Sequence, residues 1–280
     1  MGKHLSDAQI AGYHGDGFVY PVEVFSAEVA AAYRARMEAL EAVHGAMKYA
    51  MKPYLTVTMA DEIAHDETLL DAVEDLIGPN LLVWDGAFIN KEPHSDIYVS
   101  WHQDLTYWGI GPPEEIVSVW LALSPVSRKN GGMRMVPCSH HGALKHEDRF
   151  GDDNLLSRGQ TLAGDIDEAS VVDITLAPGQ MSLHHGLVVH ASNPNHSGQR
   201  RIGLNFQFIT PVVRQGEMTG DSAMLVRGAD GSGHFAPEPR PRSDFAPDSI
   251  AFVEDIAARR QKMLFRGVAD GKQGRYGAVV

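Results

Sequence analysis

Fourteen histidines stand among 280 residues, and four are followed two positions later by aspartate: His14-Gly15-Asp16, His94-Ser95-Asp96, His102-Gln103-Asp104 and His146-Glu147-Asp148. Two histidines and one carboxylate on one face of ferrous iron leave its other positions open for a co-substrate and O2, so each pair is a candidate start of such a site. Context separates them. Residues two apart on a strand project to the same side, and Ile97-Tyr98-Val99-Ser100-Trp101 leads into His102 with strand-like composition. His14 follows a short helical segment and meets glycine, His146 lies in a charged stretch, and His94 follows Pro93 in a polar cluster. Those three read as turn or solvated positions. His102 and Asp104 are therefore the candidate ligand pair, expected on one extended segment.

A third ligand must come from elsewhere in the chain, and His190 stands out. It ends the run Met181 to Val189 and precedes the turn-forming Ala191-Ser192-Asn193-Pro194-Asn195. Beyond the turn, Arg201, Gly203, Asn205 and Gln207 alternate with Ile202, Leu204, Phe206 and Phe208, a polar face opposite an apolar one. The two runs are expected to pair as a hairpin that brings His190, Ser192 and Arg201 together. Arg201 then grips a carboxylate through two parallel hydrogen bonds, with Ser192 as a third donor. That is what 2-oxoglutarate requires: a clamp for its distal carboxylate while its keto-acid end chelates iron. Taken singly, His190 also reads as a hydrogen-bonded core histidine and Arg201 as an ion-pair partner; the combination with His102 and Asp104 favours the site.

The elements that position these residues divide the chain. Ser6 and Ser26 each open a helix, the second running to about Ala42, and a third helix spans roughly Asp66 to Ile77 before Gly78-Pro79. From Leu81 the period shortens to that of strands: Leu81 to Ile89, Ile97 to Leu105, Ile116 to Leu123, Met133 to Val136, Ser170 to Leu176, Met181 to Ala191 and Arg201 to Pro211. The expectation is a mainly β fold with flanking α-helices in a single domain over 1–280: N-terminal helices at about 6–77, a β core at about 81–211, then a lid loop and C-terminal helix at about 212–267. Segments 141–168 and 214–248, rich in Gly, Asp, Pro or Arg, read as long loops. The closing helix is expected from Ser249 to Phe265, ending at Gly267, with a poorly ordered tail.

Composition excludes several functions. With 44% hydrophobic and 21% charged residues the chain is ordinary for a globular protein. The formal net charge of −12 argues against a sequence-independent nucleic-acid binder. No apolar run approaches a membrane span and no signal-peptide core is visible. A single cysteine, Cys138, rules out an internal disulfide and a cysteine-rich metal site. A cytoplasmic location, a small-molecule substrate and no membrane or nucleic-acid partner are expected.

The region from Leu81 to Pro211 resembles the phytanoyl-CoA dioxygenase family. Ile89-Asn90-Lys91-Glu92-Pro93 and His102-Gln103-Asp104, with Tyr107 and Trp108, resemble its first iron motif; Val119-Trp120-Leu121-Ala122-Leu123 with Arg128-Lys129-Asn130-Gly131-Gly132 resembles its next strand and turn. His190-Ala191-Ser192 with Asn195 and Arg201 resembles its second iron and co-substrate motif. The resemblance implies a double-stranded β-helix of the cupin-like jelly-roll kind, using Fe(II), 2-oxoglutarate and O2 to hydroxylate a substrate. It places Lys91, Trp120, Ser192 and Arg201 as co-substrate contacts, and Gln103, Tyr107, His185 and Asn205 near the substrate or behind the ligands. Trp120 alone would read as core, and Lys91 as a solvated loop lysine. Halogenating relatives replace the carboxylate ligand with a small residue, so Asp104 argues for oxygenation. Cys138 stands where the family usually has glycine, which implies strain if the backbone there needs positive φ.

The substrate is read as a small polar metabolite such as an amino acid, amine or organophosphonate, since the basic pairs Arg200-Arg201 and Arg259-Arg260 are too sparse for the phosphates of a CoA ester. A CoA- or carrier-linked acyl substrate and a non-catalytic binding protein of the same fold are the alternatives.

Overall fold

Local signals in the first 80 residues form helices as their caps dictate. The Ser6 side chain accepts from the Gln9 amide while Gln9 reaches back to Ser6, starting α1 (Asp7–Asp16). Strand β1 (Phe18–Glu23) follows, and Ser26 then caps α2 (Ala27–His44). After α3 (Thr58–Ala64), the Asp66 carboxylate accepts from the Thr68 and Leu69 amides to cap α4 (Glu67–Ile77), which buries Leu69, Leu70, Ala72 and Val73. The computed structural model describes residues 2–47, 50–149, 153–156, 159–216 and 220–264, with the side chains of Tyr107 and 262–264 left aside.

The β core runs through β2 (Leu81–Phe88), β3 (Val99–His102), a single turn α5 (Leu105–Trp108), β4 (Ile110–Gly111), β5 (Ile116–Ala122) and β6 (Met133–Met135). It continues with β7 (His146–Asp148), β8 (Gln160–Leu162), β9 (Val172–Asp173), β10 (Gln180–His185), β11 (His190–Ser192) and β12 (Gly203–Ile209). Then come β13 (Arg214–Gln215), β14 (Ser222–Arg227), β15 (Ala236–Pro237) and α6 (Pro247–Leu264). A seven-stranded sheet in the order β1-β10-β5-β12-β2-β14-β15 lies against a four-stranded sheet, β3-β11-β6-β9. This is the expected double-stranded β-helix.

The period of two along each strand decides which side chains enter the barrel. Val117, Val119, Leu121, Met181, Leu183, Leu204, Phe206 and Phe208 point to the helices and share one apolar core with Leu69, Leu70 and Val73. The intervening positions, Ser118, Trp120, Ser182, His184, Gly203, Asn205 and Gln207, face the smaller sheet. No described helix is long and apolar enough to cross a membrane.

Several expectations need correction. The runs through His190 and Arg201 do not form a hairpin: β11 pairs with β3 and β6 in the small sheet, while β12 pairs with β2 and β5 in the large one. The intervening turn residues carry the chain from one sheet to the other. The run Met181 to Ala191 breaks between β10 and β11. Segment 141–168 contains the β7–β8 pair, and 214–248 supplies β14 and β15 to the edge of the large sheet. β1 and α3 were not expected, since each is short and lacks a clean periodic signature. The closing helix is observed to Leu264; Phe265, Gly267 and the tail lie outside the described residues.

Candidate metal centre

His102 and His190 sit directly opposite one another on the antiparallel pair β3–β11. Asp104 lies beyond the end of β3, where the backbone has turned to φ −54, ψ −50 on entering α5. The helical turn, rather than the strand period, therefore aims this carboxylate, which corrects the extended reading. Its Oδ1 lies 3.2 Å from His102 Nε2 and 3.7 Å from His190 Nε2. Among the described residues these three side chains are the one group whose donor atoms all fall within 4.8 Å of one another.

Both rings are oriented by their other nitrogen. His102 Nδ1 faces the Ser100 and His190 carbonyls at 2.9 and 3.1 Å, and His190 Nδ1 faces the Val188 carbonyl at 3.0 Å. A carbonyl only accepts, so Nδ1 presents a proton to it in each ring and Nε2 is turned toward Asp104. Burial, reinforced by His102, pushes the His190 imidazolium down to about 3, so the ring is neutral at physiological pH. Burial opposes ionisation of Asp104, yet His190, His102 and His184 together hold it well below the usual carboxylate range. Two imidazoles and one ionised carboxylate are the donor set that suits Fe(II) with open positions.

The far oxygen of the carboxylate is also held. The Ser118 hydroxyl donates to Asp104 Oδ2 at 3.2 Å, and His184 Nε2 lies 3.7 Å from it. Sequence reasoning passed over both residues and singled out His185. The alternation along β10 carries the signal: Met181 and Leu183 belong to the outer core, so Ser182 and His184 must point inward. His185 instead accepts from the Leu187 amide at 3.1 Å, with its ring 5.3 Å from that of His140. Burial and His140 push its pKa down to about 4.

Two residues beyond His190 on β11, Ser192 belongs to a buried cluster with two basic side chains. Lys91 and Arg201 form an isolated bridge, each amide donating to the other's carbonyl at 2.9 Å. Lys91 Nζ donates to Ser192 Oγ at 2.8 Å and to the Asn193 carbonyl at 2.5 Å. The Arg201 guanidinium lies 5.1 Å over the Trp120 ring and donates to the Gly131 and Ile89 carbonyls at 2.5 and 3.1 Å. Burial, then repulsion from Arg201, pushes Lys91 down to about 6. Lys91, Trp120, Ser192 and Arg201 are thus brought together, though by a strand bridge rather than a hairpin.

The remaining residues singled out from the sequence divide. Gln103 is fully buried, and its amide donates to the Leu187 and Gly142 carbonyls at 2.7 and 2.9 Å and accepts from the Leu144 amide at 2.7 Å. Both ends of that amide tie neighbouring loops to the end of β3. Asn205 stands opposite Trp120 on the inner face and accepts from the Ala87 amide at 2.6 Å. The Tyr107 side chain lies outside the described residues. Cys138 is exposed and adopts φ 60, the left-handed region in which the resemblance placed strain.

Fold and donor set together define a double-stranded β-helix of the Fe(II)- and 2-oxoglutarate-dependent oxygenase class. More narrowly, the chain belongs to the phytanoyl-CoA dioxygenase family, whose sequence model, "Phytanoyl-CoA dioxygenase (PhyH)", matches residues 13–203. Human "Phytanoyl-CoA dioxygenase, peroxisomal" is 30% identical over 55% of this chain and 47% of its own length. A "Probable alpha-ketoglutarate-dependent hypophosphite dioxygenase" of Stutzerimonas stutzeri is 30% identical over 63% of each chain. The chain thus spans about half to two-thirds of these curated relatives, 47% and 63%. The solved structure titled "non-heme monooxygenase; ThoJ apo" superposes with a TM-score of 0.81 at 37% identity, covering 92% of this chain and 98% of that one. "CytC3 with Fe(II) and alpha-ketoglutarate", at 20% identity and a TM-score of 0.66, shares the fold.

Proposed function

We propose that the protein is a 2-oxoglutarate-dependent dioxygenase that hydroxylates an unactivated C–H bond of a small polar metabolite, releasing succinate and CO2, in the cytoplasm. One observation carries the reading: a two-histidine, one-carboxylate set within 4.8 Å shares strand β11 with Ser192, which holds the buried basic residue Lys91 beside Arg201. In this reading His102, Asp104 and His190 hold Fe(II), and Lys91, Trp120, Ser192 and Arg201 hold 2-oxoglutarate.

Bound iron with 2-oxoglutarate and O2 supplies an oxidative decarboxylation and the oxidising power to take hydrogen from carbon. The chain's own residues prepare the site. The Ser100, Val188 and His190 carbonyls fix the imidazoles before any metal arrives, and Ser118 and His184 hold the outer carboxylate oxygen. Arg201, flattened on Trp120, offers a planar cation to a carboxylate. Lys91 already donates to Ser192 Oγ, which leaves the Ser192 hydroxyl hydrogen for a second carboxylate oxygen. A dianion in this pocket favours protonation of Lys91 and relieves its repulsion from Arg201. Structures titled as an epimerase and a carbocyclase, at 17% and 19% identity, share the fold alone; retention of Asp104 favours oxygenation over halogenation here.

The test mixes protein, Fe(II) and 2-oxoglutarate without oxygen, then admits labelled O2 with a panel of amino acids, amines and phosphonates. A visible charge-transfer band, succinate release and a product heavier by one labelled oxygen are expected. Arg201→Lys should raise the KM for 2-oxoglutarate by about 10–100-fold. Binding of iron and 2-oxoglutarate without succinate from any compound favours a non-catalytic binding protein.

A further inference from the structure

The inner face of the large sheet carries one row of polar residues that the metal and co-substrate sites do not use up. His184 stands directly opposite Ser118, Ser118 opposite Gln207, and Gln207 opposite Asp85. Directly opposed residues of an antiparallel pair share a face, so the four side chains line the barrel floor in sequence. The first two reach Asp104, as described above. The neighbouring row, Ser182, Trp120, Asn205 and Ala87, carries the Trp120 platform of the basic cluster. Gln207 lies one strand spacing, about 4.8 Å, from Ser118, on the metal row rather than the co-substrate row.

Gln207 is 5% exposed, and its side-chain amide makes no hydrogen bond to any described residue. At the other end of the row, His184 Nδ1 is likewise buried without a partner. Buried polar groups in native proteins are almost always satisfied, so a buried His184 Nδ1 without a partner and an unbonded Gln207 amide in one row mark a place where a ligand completes the bonding. Beyond Gln207, the Asp85 side chain is 21% exposed and accepts from Arg260 at 2.5 Å. Arg260 also pairs with Asp221 at 2.8 Å, and Lys52 with Glu238 at 2.6 Å. Asp221, Glu238, Lys52 and Arg260 are buried behind Asp85, which is the carboxylate of this cluster that keeps open surface. An open carboxylate oxygen accepts hydrogen bonds from N–H groups and disfavours phosphates and carboxylates beside it.

We infer that Gln207, backed by Asp85, is the substrate-recognising element, and that it takes a nitrogen-bearing group, an amine, amide, guanidine or imidazole, of a molecule whose C–H bond then lies beside the triad. The inference rests on the oxygenase reading above and narrows its substrate to nitrogen donors over organophosphonates and acyl-CoA esters. The amide oxygen of Gln207 accepts from the ligand N–H, its NH2 donates to a carbonyl where the ligand has one, and the Asp85 carboxylate adds a further acceptor for a cation.

The test uses the full chain with Fe(II), 2-oxoglutarate and O2, and two probe sets: free amino acids, methylammonium, acetamide and N-methylguanidine against hypophosphite, methylphosphonate and an acyl-CoA. Stimulation of succinate release by at least one nitrogen compound and by none of the anions is expected. Gln207→Leu should raise the KM for that compound about tenfold or more. Should that variant unfold, the nearly isosteric Gln207→Glu is expected to shift preference from neutral amides toward cations. Stimulation by the anionic set, silence across the nitrogen set, or a KM and preference unmoved by either variant overturns the inference while leaving the metal site intact. A wild-type protein that gives no charge-transfer band with Fe(II) and 2-oxoglutarate overturns both.

Discussion

Lys91 and Arg201 are locked side by side by a pair of backbone hydrogen bonds, each 2.9 Å long, so that two basic side chains are buried together. A fold keeps such an arrangement against its own stability only where an anionic ligand repays it. In the folded chain Lys91 holds its proton only to about 6, against an ordinary 10.5.

The sign of the pH effect follows. Between those two values the unfolded chain binds one more proton at Lys91 than the folded chain does. Stability without ligand therefore rises with pH, by up to about 1.4 kcal/mol per unit from this group. Lys91→Met removes that slope. Urea unfolding at pH 7 and pH 9 should show the difference, wild type minus variant, growing with pH, and saturating 2-oxoglutarate should flatten it. A difference that does not change with pH contradicts the account of this pocket.

Gly203 has its own constraint. A Cβ at that position would stand 2.0 Å from Cζ2 of Trp120, so Gly203→Ala must push the indole off the Arg201 guanidinium or bend β12. A loss of about 1–3 kcal/mol is expected, together with a several-fold higher KM for 2-oxoglutarate, read from denaturant unfolding and steady-state kinetics. An unchanged KM would separate Trp120 from the co-substrate pocket.

Cys138 carries strain at an exposed position outside the proposed ligand set. At φ 60 a non-glycine residue costs about 1–2 kcal/mol, while glycine's extra chain entropy costs about 0.5–1 kcal/mol. Cys138→Gly should therefore raise stability by up to about 1.5 kcal/mol and leave succinate release unchanged. A loss of stability would mean that the exposed thiol, 3.8 Å from Asp16 Oδ1, contributes more than its backbone costs.

The sequence made the donor residues visible because their chemistry is encoded in residue type and context: His102, Asp104 and His190 are recognisable before any coordinates. Their placement was legible only in part. The strand period aims His102, but α5 begins at once and a helical turn aims Asp104. The hairpin failed because a jelly roll passes consecutive strands between two sheets, and a Ser-Asn-Pro-Asn turn looks the same whether it returns to its own sheet or crosses to the other. His184 and Ser118 were missed because their roles depend on which strands lie side by side, information held by long-range pairing rather than local pattern. The Gln207 and Asp85 row was invisible for the same reason.

The most direct test of the central claim is iron stoichiometry. Anaerobic equilibrium dialysis against Fe(II) with 2-oxoglutarate should load close to one iron per wild-type chain, and Asp104→Ala or His190→Ala should retain less than about a tenth of it, with succinate release abolished. Near-normal iron occupancy and turnover in either variant would show that these side chains do not hold the metal.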